Sequence, residues 1–453
     1  MSLTARQEKL LRRTFLDYRQ TSEFLKAPVI FEKAEGLYYW DQDDKRYFDA
    51  IGGIFVAILG HRHPRIMDAM RRQMEKITFA PPLHGISAIT LEFIDKLGSV
   101  APGALKYIKP FSGGSESIES AMKFARQYFK QTGHPGKHKF VSCYMAYHGG
   151  TFGSMAASGT GSRKSKFEPQ MPGFIKVFSP LYYRDLLPSW EEANRFAAQA
   201  CEDVIAAEDP ETVAGVILEP ISNTGGIVTP TEEYFRILRR ICDRHNVLLI
   251  YDEIITGFAR TGQMFAAQTF NVTPDIICSG KALSSGAIPI GAMIAREDLA
   301  EAFYGPEEAE VQFAHGHTFA GNPLACAAGI ATIDEITEKD LCRRARELGD
   351  YLASRLEELR RFGVVREVRG KGLLRGVELV EDPGTRMPFP PGRKLGLALR
   401  KTSIKNGLIM RVDPDWFAVA PALIAARSDI DEMCALIEKS LLEALDLVLK
   451  PGR

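Results

Sequence analysis

The most reactive arrangement in the sequence is Ile276–Lys281, IICSGK, followed by ALSSG at 282–286. A lysine at the end of an apolar strand, flanked by small residues, is held rigid and partly out of water. Desolvation lowers the pKa of an amine, which makes it the nucleophile and base that Schiff-base chemistry requires. Some thirty residues earlier stands Tyr251–Gly262, YDEIITGFARTG. Asp252 closes an apolar run, and a carboxylate at a strand end is costly without a cationic partner. Phe111–Glu119, FSGGSESIE, opens a helix where two glycines allow close backbone approach. There Gly114, the Ser115 hydroxyl and the helix N-terminal amides suit a phosphate. Tyr147–Gly150, YHGG, follows a strand and offers the Tyr147 ring for stacking, with His148 beside it. His315–Pro323, HGHTFAGNP, adds Thr318 as a further phosphate donor. Its histidines lie two residues apart with no cysteine or carboxylate partner, so no metal is expected. Singly, each feature has an ordinary reading: a lysine whose head reaches solvent, an aspartate capping the next helix, a glycine–serine helix start. Their joint order is the discriminating signal.

The elements that must position these groups follow from periodicity. Strands are expected at Lys139–Tyr144, Ala214–Leu218, Val247–Tyr251, Ile276–Cys278 and Gly291–Ile294. Helices are expected between them at Ser115–Gln131, Trp190–Glu208 and Glu232–Arg244. Strands alternating with helices predict an α/β fold with a mainly parallel sheet sandwiched by helices, and such sheets bind ligands beyond the carboxyl ends of their strands. After residue 330 the texture changes. A helix at Arg343–Arg361 leads to strands at Val364–Arg369 and Gly372–Leu379, then to a loop, Glu381–Gly392, with four prolines. A last helix runs from Ile430 to Leu449. This part reads as a smaller α+β domain at 331–453, joined by the N-terminal segment 1–60, with the large domain at 61–330.

The chain of 453 residues is too long for one small domain. Lys+Arg and Asp+Glu are both 57, so no net field favours nucleic acid or an anionic membrane surface. No apolar run reaches the roughly eighteen residues of a membrane span. The charged N-terminus, MSLTARQEKLLRRTFLDYR, has no apolar secretory core and reads as a short surface helix. Seven scattered cysteines without CxxC spacing suggest reduced thiols and a cytoplasmic location.

In this order the motifs resemble the class III, fold-type I pyridoxal 5'-phosphate (PLP) aminotransferases. The family signature DE-x-x-x-G-[FY]-x-R-x-G corresponds to Asp252-Glu253 through Gly257-Phe258-Ala259-Arg260-Thr261-Gly262, with Ser279-Gly280-Lys281 after it. The likeness runs from about Phe31 to Glu443. It implies that Lys281 carries the cofactor as a Schiff base and shuttles the proton, while Asp252 pairs with the pyridine nitrogen. It further implies that Tyr147 stacks on one ring face and Ile254 on the other, with His148 and Glu219 nearby. Gly114 and Ser115 would hold the phosphate, and Thr318 would reach it from the neighbouring subunit of a homodimer. The phosphate loop departs from the family's Ser-Gly-[ST]-Glu-Ala, reading Gly113-Gly114-Ser115-Glu116-Ser117. His317 and Ala320 also depart from the usual HG-[SF]-TFGGNP.

Substrate class is read from two places. Members acting on ornithine or 4-aminobutyrate resemble one another in a glutamate after the EP motif and an arginine before a late proline. Here those positions, set by Glu219-Pro220 and Pro421, hold Thr224 and Ala418. Arg411, in GLIMRV, falls where the ω-amine:pyruvate transaminases resemble one another in a mobile arginine. Phe55 and Leu83 fall where that subgroup lines its pocket. The resemblance therefore implies an amine donor without an α-carboxylate and pyruvate as acceptor. Another class III reaction, of the dialkylglycine decarboxylase or aminomutase type, would use the same cofactor site. A phosphate-ligand-binding α/β protein without PLP would use the helix start and leave Lys281 and Asp252 unexplained.

Overall fold

The computed structural model describes residues 3–449. The expected N-terminal surface helix and the outer segments therefore extend a little past the described residues, by positions 1–2 and 450–453. An N-terminal helix is present at Ala5–Leu11, with Thr4 accepting from the Gln7 amide as its cap. Three short strands follow: β1 (Phe31–Glu35), β2 (Tyr38–Asp41) and β3 (Arg46–Asp49).

The large sheet is built from β4 (Leu105–Phe111), β5 (Lys139–Cys143), β6 (Phe174–Val177), β7 (Val213–Leu218), β8 (Leu248–Asp252), β9 (Ile276–Ser279) and β10 (Gly291–Arg296). Its order is β4-β10-β9-β8-β7-β5-β6. The five strands from β9 to β6 are mutually parallel, while β10 runs antiparallel to both neighbours. Every residue of β7, β8 and β9 is buried, as expected for strands covered on both faces. Helix Gly114–Gln131 covers one face; helices Trp190–Ala207 and Glu232–Arg244 cover the other. Alternation along β8 sends Leu248 and Ile250 into the core beneath helix Gly114–Gln131, and Leu249 and Tyr251 into the opposite core. Each such fully buried Leu or Ile contributes roughly 1.5–3 kcal/mol.

Beyond helix Pro323–Glu338 and helix Leu341–Glu357, the chain forms β11 (Val365–Lys371), β12 (Leu374–Leu379), helix Leu395–Lys405, β13 (Leu408–Ile409), β14 (Arg411–Asp413) and β15 (Trp416–Val419), and ends in helix Arg427–Leu449. β11, β12, β15 and β14 make an antiparallel sheet, whereas β13 pairs in parallel with β3. The N-terminal strands thus share a sheet with the C-terminal part of the chain.

Arg260 ties the large sheet's loops to this sheet. Its buried guanidinium donates from Nη1 to the carbonyls of Leu373 (3.1 Å) and Pro421 (2.6 Å). Burial pushes its pKa down to about 10. Among the described residues no helix is long and apolar enough to cross a membrane, and no group of three or more His, Cys, Asp or Glu is arranged to hold a metal. The seven cysteines are free thiols.

Candidate active site

Beyond the carboxyl ends of β7, β8 and β9 lies a cavity of about 160 Å³ lined by Gly114, Ser115, Tyr147, His148, Gly149, Glu219, Ile221, Asp252, Ile254, Ile255 and Lys281. Eight residues expected from the sequence converge here. The acidic pair of the signature divides by strand alternation. Asp252 faces the cavity, while Glu253 turns into the core and accepts from the amides of Ala266 (2.6 Å) and Ala267 (2.8 Å) and from Thr256 (3.0 Å). Burial raises the Glu253 pKa to about 7, so its role is to organise the loop behind the site.

Asp252 is 4% exposed; its Oδ2 lies 2.8 Å from His148 Nδ1, and its Oδ1 accepts from the Ile254 amide at 3.1 Å. The buried His148 Nε2 has no hydrogen-bond partner among the described residues. Glu219 anchors the loop that carries Tyr147. It accepts from the Tyr147 amide (3.3 Å), Ser222 Oγ (3.0 Å) and the Asn223 amide (3.4 Å). Burial, with a further push from Asp252, raises its pKa to about 6.

Lys281 has φ 39°, a left-handed conformation that a non-glycine residue adopts only when its surroundings impose it. Its amine makes no ion pair among the described residues. Burial lowers its pKa; Asp252 and Glu219 oppose that shift, and Arg411 and Arg163 add to it.

The helix start is shaped for close approach. A Cβ on Gly114 would stand 2.6 Å from Ile254 Cδ1, and one on Gly149 (φ 146°) would meet Ser154 Oγ at 2.4 Å and Ser115 Oγ at 2.5 Å. The helix beginning at Gly114 has no side-chain cap, so its first N–H groups and Ser115 remain available to an anion.

Four expected residues stand elsewhere. Arg411 sits at the margin on β14, its Nε donating to Asp413 Oδ2 (3.0 Å) and its guanidinium 4.9 Å from the Trp416 ring centroid. Phe55 is 1% exposed and belongs to the hydrophobic core, in a turn with positive φ at Gly52, Gly53 and Phe55 itself. Leu83 and Thr318 lie together in a separate surface hollow with Phe79, Lys109, His315 and His317.

The sequence reading missed Gly149, Ile221 and Ile255, although the GG pair after Tyr147 was a usable signal for the first. It also missed Arg163, which lies over the Tyr147 ring, and Tyr18, which reaches Arg163 from the distant N-terminal segment and left no pattern.

The sequence profile described as Aminotransferase class-III matches residues 20–441. The chain belongs to the class III aminotransferases. It is 36% identical over 436 residues to a probable aminotransferase of Mycobacterium tuberculosis, covering 95% of this chain and 93% of that one. It is 31% identical to a putrescine–pyruvate aminotransferase of Pseudomonas aeruginosa, over 96% and 94% of the two chains. Among solved structures, the omega transaminase of Pseudomonas jessenii in complex with PMP matches with TM-score 0.94 at 31% identity, over 98% of this chain and 99% of that one. Membership fixes the architecture as the fold-type I arrangement and the cofactor as PLP, which removes the phosphate-binding alternative without it. The cavity suits that group: the half-buried Lys281 amine, the buried Asp252 carboxylate and an uncapped helix N-terminus line one space.

Proposed function

We infer that this aminotransferase moves an amino group from an amine lacking an α-carboxylate to a keto acid, pyruvate, in two ping-pong half-reactions centred on Lys281. The observation that carries the reading is the shared cavity, lined by both the pKa-lowered amine of Lys281 and the His148-braced carboxylate of Asp252.

PLP, when bound, supplies an aldehyde that condenses with amines and a ring that withdraws the electron pair released at the neighbouring carbon. Asp252 is the residue to keep the ring nitrogen protonated, since an ion pair offsets the cost of its own burial. His148 fixes its orientation. Gly114 and Ser115 would hold the phosphate, and Tyr147 and Ile254 would cover the two ring faces. Lys281 is the amine to which the cofactor is tethered between turnovers. Freed by substrate, its Nζ takes a proton from the amine-bearing carbon and returns it one position away. A lowered pKa keeps a usable share of that amine unprotonated near neutral pH.

Arg411 is assigned to the acceptor's carboxylate, which a guanidinium binds through two parallel hydrogen bonds. Thr224 and Ala418 leave no charged pair of the kind that admits an α-amino acid donor. The pyruvate assignment also draws on the relative named for putrescine and pyruvate.

We also assign the enzyme to a homodimer. Leu83 is 92% exposed, and Phe79, Ile86 and Phe319 are exposed around the hollow that holds Thr318, an apolar surface of the kind an interface covers. The seven free thiols suit a reducing cytoplasm.

The experiment is a panel of primary amines with pyruvate, read by alanine formation, repeated with Arg411→Ala. Alanine should form from amines without an α-carboxylate, and the variant should raise KM for pyruvate by about 10- to 100-fold with a smaller effect on the amine. An equal rise for both substrates rejects the acceptor assignment; a decarboxylated or internally rearranged product assigns the other class III chemistries.

A further inference from the structure

Arg411, the residue assigned to the acceptor's carboxylate, is already engaged by a carboxylate of its own chain. Alternation along β14 sends Arg411 and Asp413 to one face and Val412 into the core on the other. On that face Arg411 Nε donates to Asp413 Oδ2 at 3.0 Å, and neither residue forms another ion pair among the described residues. In the β14–β15 register Asp413 stands opposite Trp416 and Arg411 opposite Ala418, so Trp416 is the diagonal neighbour of Arg411 on the same face. Its ring centroid lies 4.9 Å from the guanidinium, within cation–π range. Trp416 is itself held from behind. A Cβ on Gly226 (φ 89°) would stand 3.1 Å from its Cγ, so the ring lies on the turn that the Ser222–Val228 bridge closes. Arg369 clamps that turn to the sheet, donating from Nε to the Gly226 carbonyl (2.6 Å) and from Nη1 to Glu378 (2.7 Å). Glu378 in turn stands opposite Trp416 in the β12–β15 register. Asp413 and Trp416 thus form a cradle braced by two strands and a clamped turn, to which Arg411 is tied by one ion pair and one ring contact. An oxyanion that uses Arg411 must take it from Asp413; an amine without a carboxylate need not.

Resting on the acceptor assignment above, we propose that Asp413, with Trp416 as its platform, is an internal competitor for Arg411 that sets how tightly the keto acid binds. Both are positioning residues, acting through Arg411 and not on the reacting atoms. With Arg411 in the cradle its charge is answered, and an amine enters without leaving a cation unpaired. When a keto acid binds, the guanidinium exchanges one carboxylate for another, and Asp413, whose side chain is 33% exposed, is left to water.

The test isolates the acceptor half-reaction, so that it does not depend on the identity of the amine. Enzyme loaded with PMP, the aminated cofactor, is mixed with increasing pyruvate, and the cofactor's absorbance gives the maximal rate and the half-saturating concentration. Butanal, which has the carbonyl and no carboxylate, is run beside it. Asp413→Asn should lower the half-saturating pyruvate concentration about fivefold, the size of a partly exposed ion pair, with the maximal rate unchanged. Asp413→Glu should return it toward the wild-type value. Trp416→Leu should lower it about threefold, and Trp416→Phe less. The value for butanal should not fall in any of them, and adding Asp413→Asn to Arg411→Ala should change nothing further.

A half-saturating concentration that is unchanged in Asp413→Asn overturns the proposal. A rise also overturns it, and makes Asp413 a residue that orients Arg411 for the acceptor. An equal fall for butanal, or a further fall in the Arg411→Ala background, shows that the effect does not pass through Arg411 and overturns it as well. If Arg411→Ala by itself leaves the pyruvate dependence unchanged, the acceptor assignment beneath the proposal fails instead.

Discussion

Two hollows in this molecule hold residues that the sequence marks for cofactor and substrate, and they are built in opposite ways. The Lys281 cavity is small, about 160 Å³, and is walled by buried and half-buried groups from strand ends of one sheet and one helix start. The hollow around Leu83 and Thr318 is about 650 Å³, formed by loop residues 79–84 and 313–320 with Lys109, and carries exposed apolar side chains. The larger hollow has the greater volume but no buried acid–base pair. The difference teaches that chemistry is fixed where the sheet forces polar groups together; under the proposed homodimer, the second hollow would supply parts that a partner subunit completes.

The largest effect should come from the cavity. Lys281→Ala should lower turnover by at least about a thousandfold and abolish the cofactor's visible absorbance, with an unchanged unfolding curve. Asp252→Asn should retain some PLP but lower kcat about a hundredfold or more, because the ring's electron withdrawal weakens; a near-wild-type rate would detach Asp252 from the reaction. In the second hollow, Thr318→Ala should weaken PLP binding by only about tenfold, and the loss should deepen on dilution if the hydroxyl arrives from a partner. A monomer with full PLP affinity at every concentration would break the contrast between the two hollows.

A smaller effect, confined to stability, belongs to the sheet of β11, β12, β15 and β14. Burial raises the pKa of Glu378, but Arg184, Arg369 and Arg366 outweigh it and hold the carboxyl at about 2. Arg184 grips it with both terminal nitrogens, at 2.8 and 3.0 Å. Its folded pKa lies below the ordinary 4.5, so the stability it contributes is complete above that pH and is lost as pH falls toward 2. Glu378→Gln should cost roughly 3 kcal/mol near neutrality and flatten the acid limb of a stability–pH curve. An unchanged acid limb would show the network to be inert.

The parts of the fold that were legible are those where burial on both faces compels continuous apolar runs. VAGVIL at β7 and LLIYD at β8 read directly, and they place Asp252. The sequence reading passed over β4, LKYIKPF, because lysines on its less buried positions break the run. It also passed over β1, whose FEKAE is mostly exposed at a sheet edge, and over β13 to β15, which are too short to show a period. Lys281 and Asp252 were legible because each ends such a run. The burial of Phe55 in the core was not legible, because it follows from positive φ at Gly52, Gly53 and Phe55 that the residue types do not announce. Tyr18 reaches Arg163 from more than a hundred positions away, and Arg163 lies against the Tyr147 ring from a short helix at Gly161–Lys164, a meeting that no local pattern encodes.

The most direct test of the central claim is to reduce the PLP-loaded enzyme with borohydride, digest it and locate the modified residue by mass spectrometry. A single pyridoxyl adduct on Lys281, absent from Lys281→Ala, is the predicted result. An adduct on another lysine, or PLP that binds and reduces without marking Lys281, would contradict it.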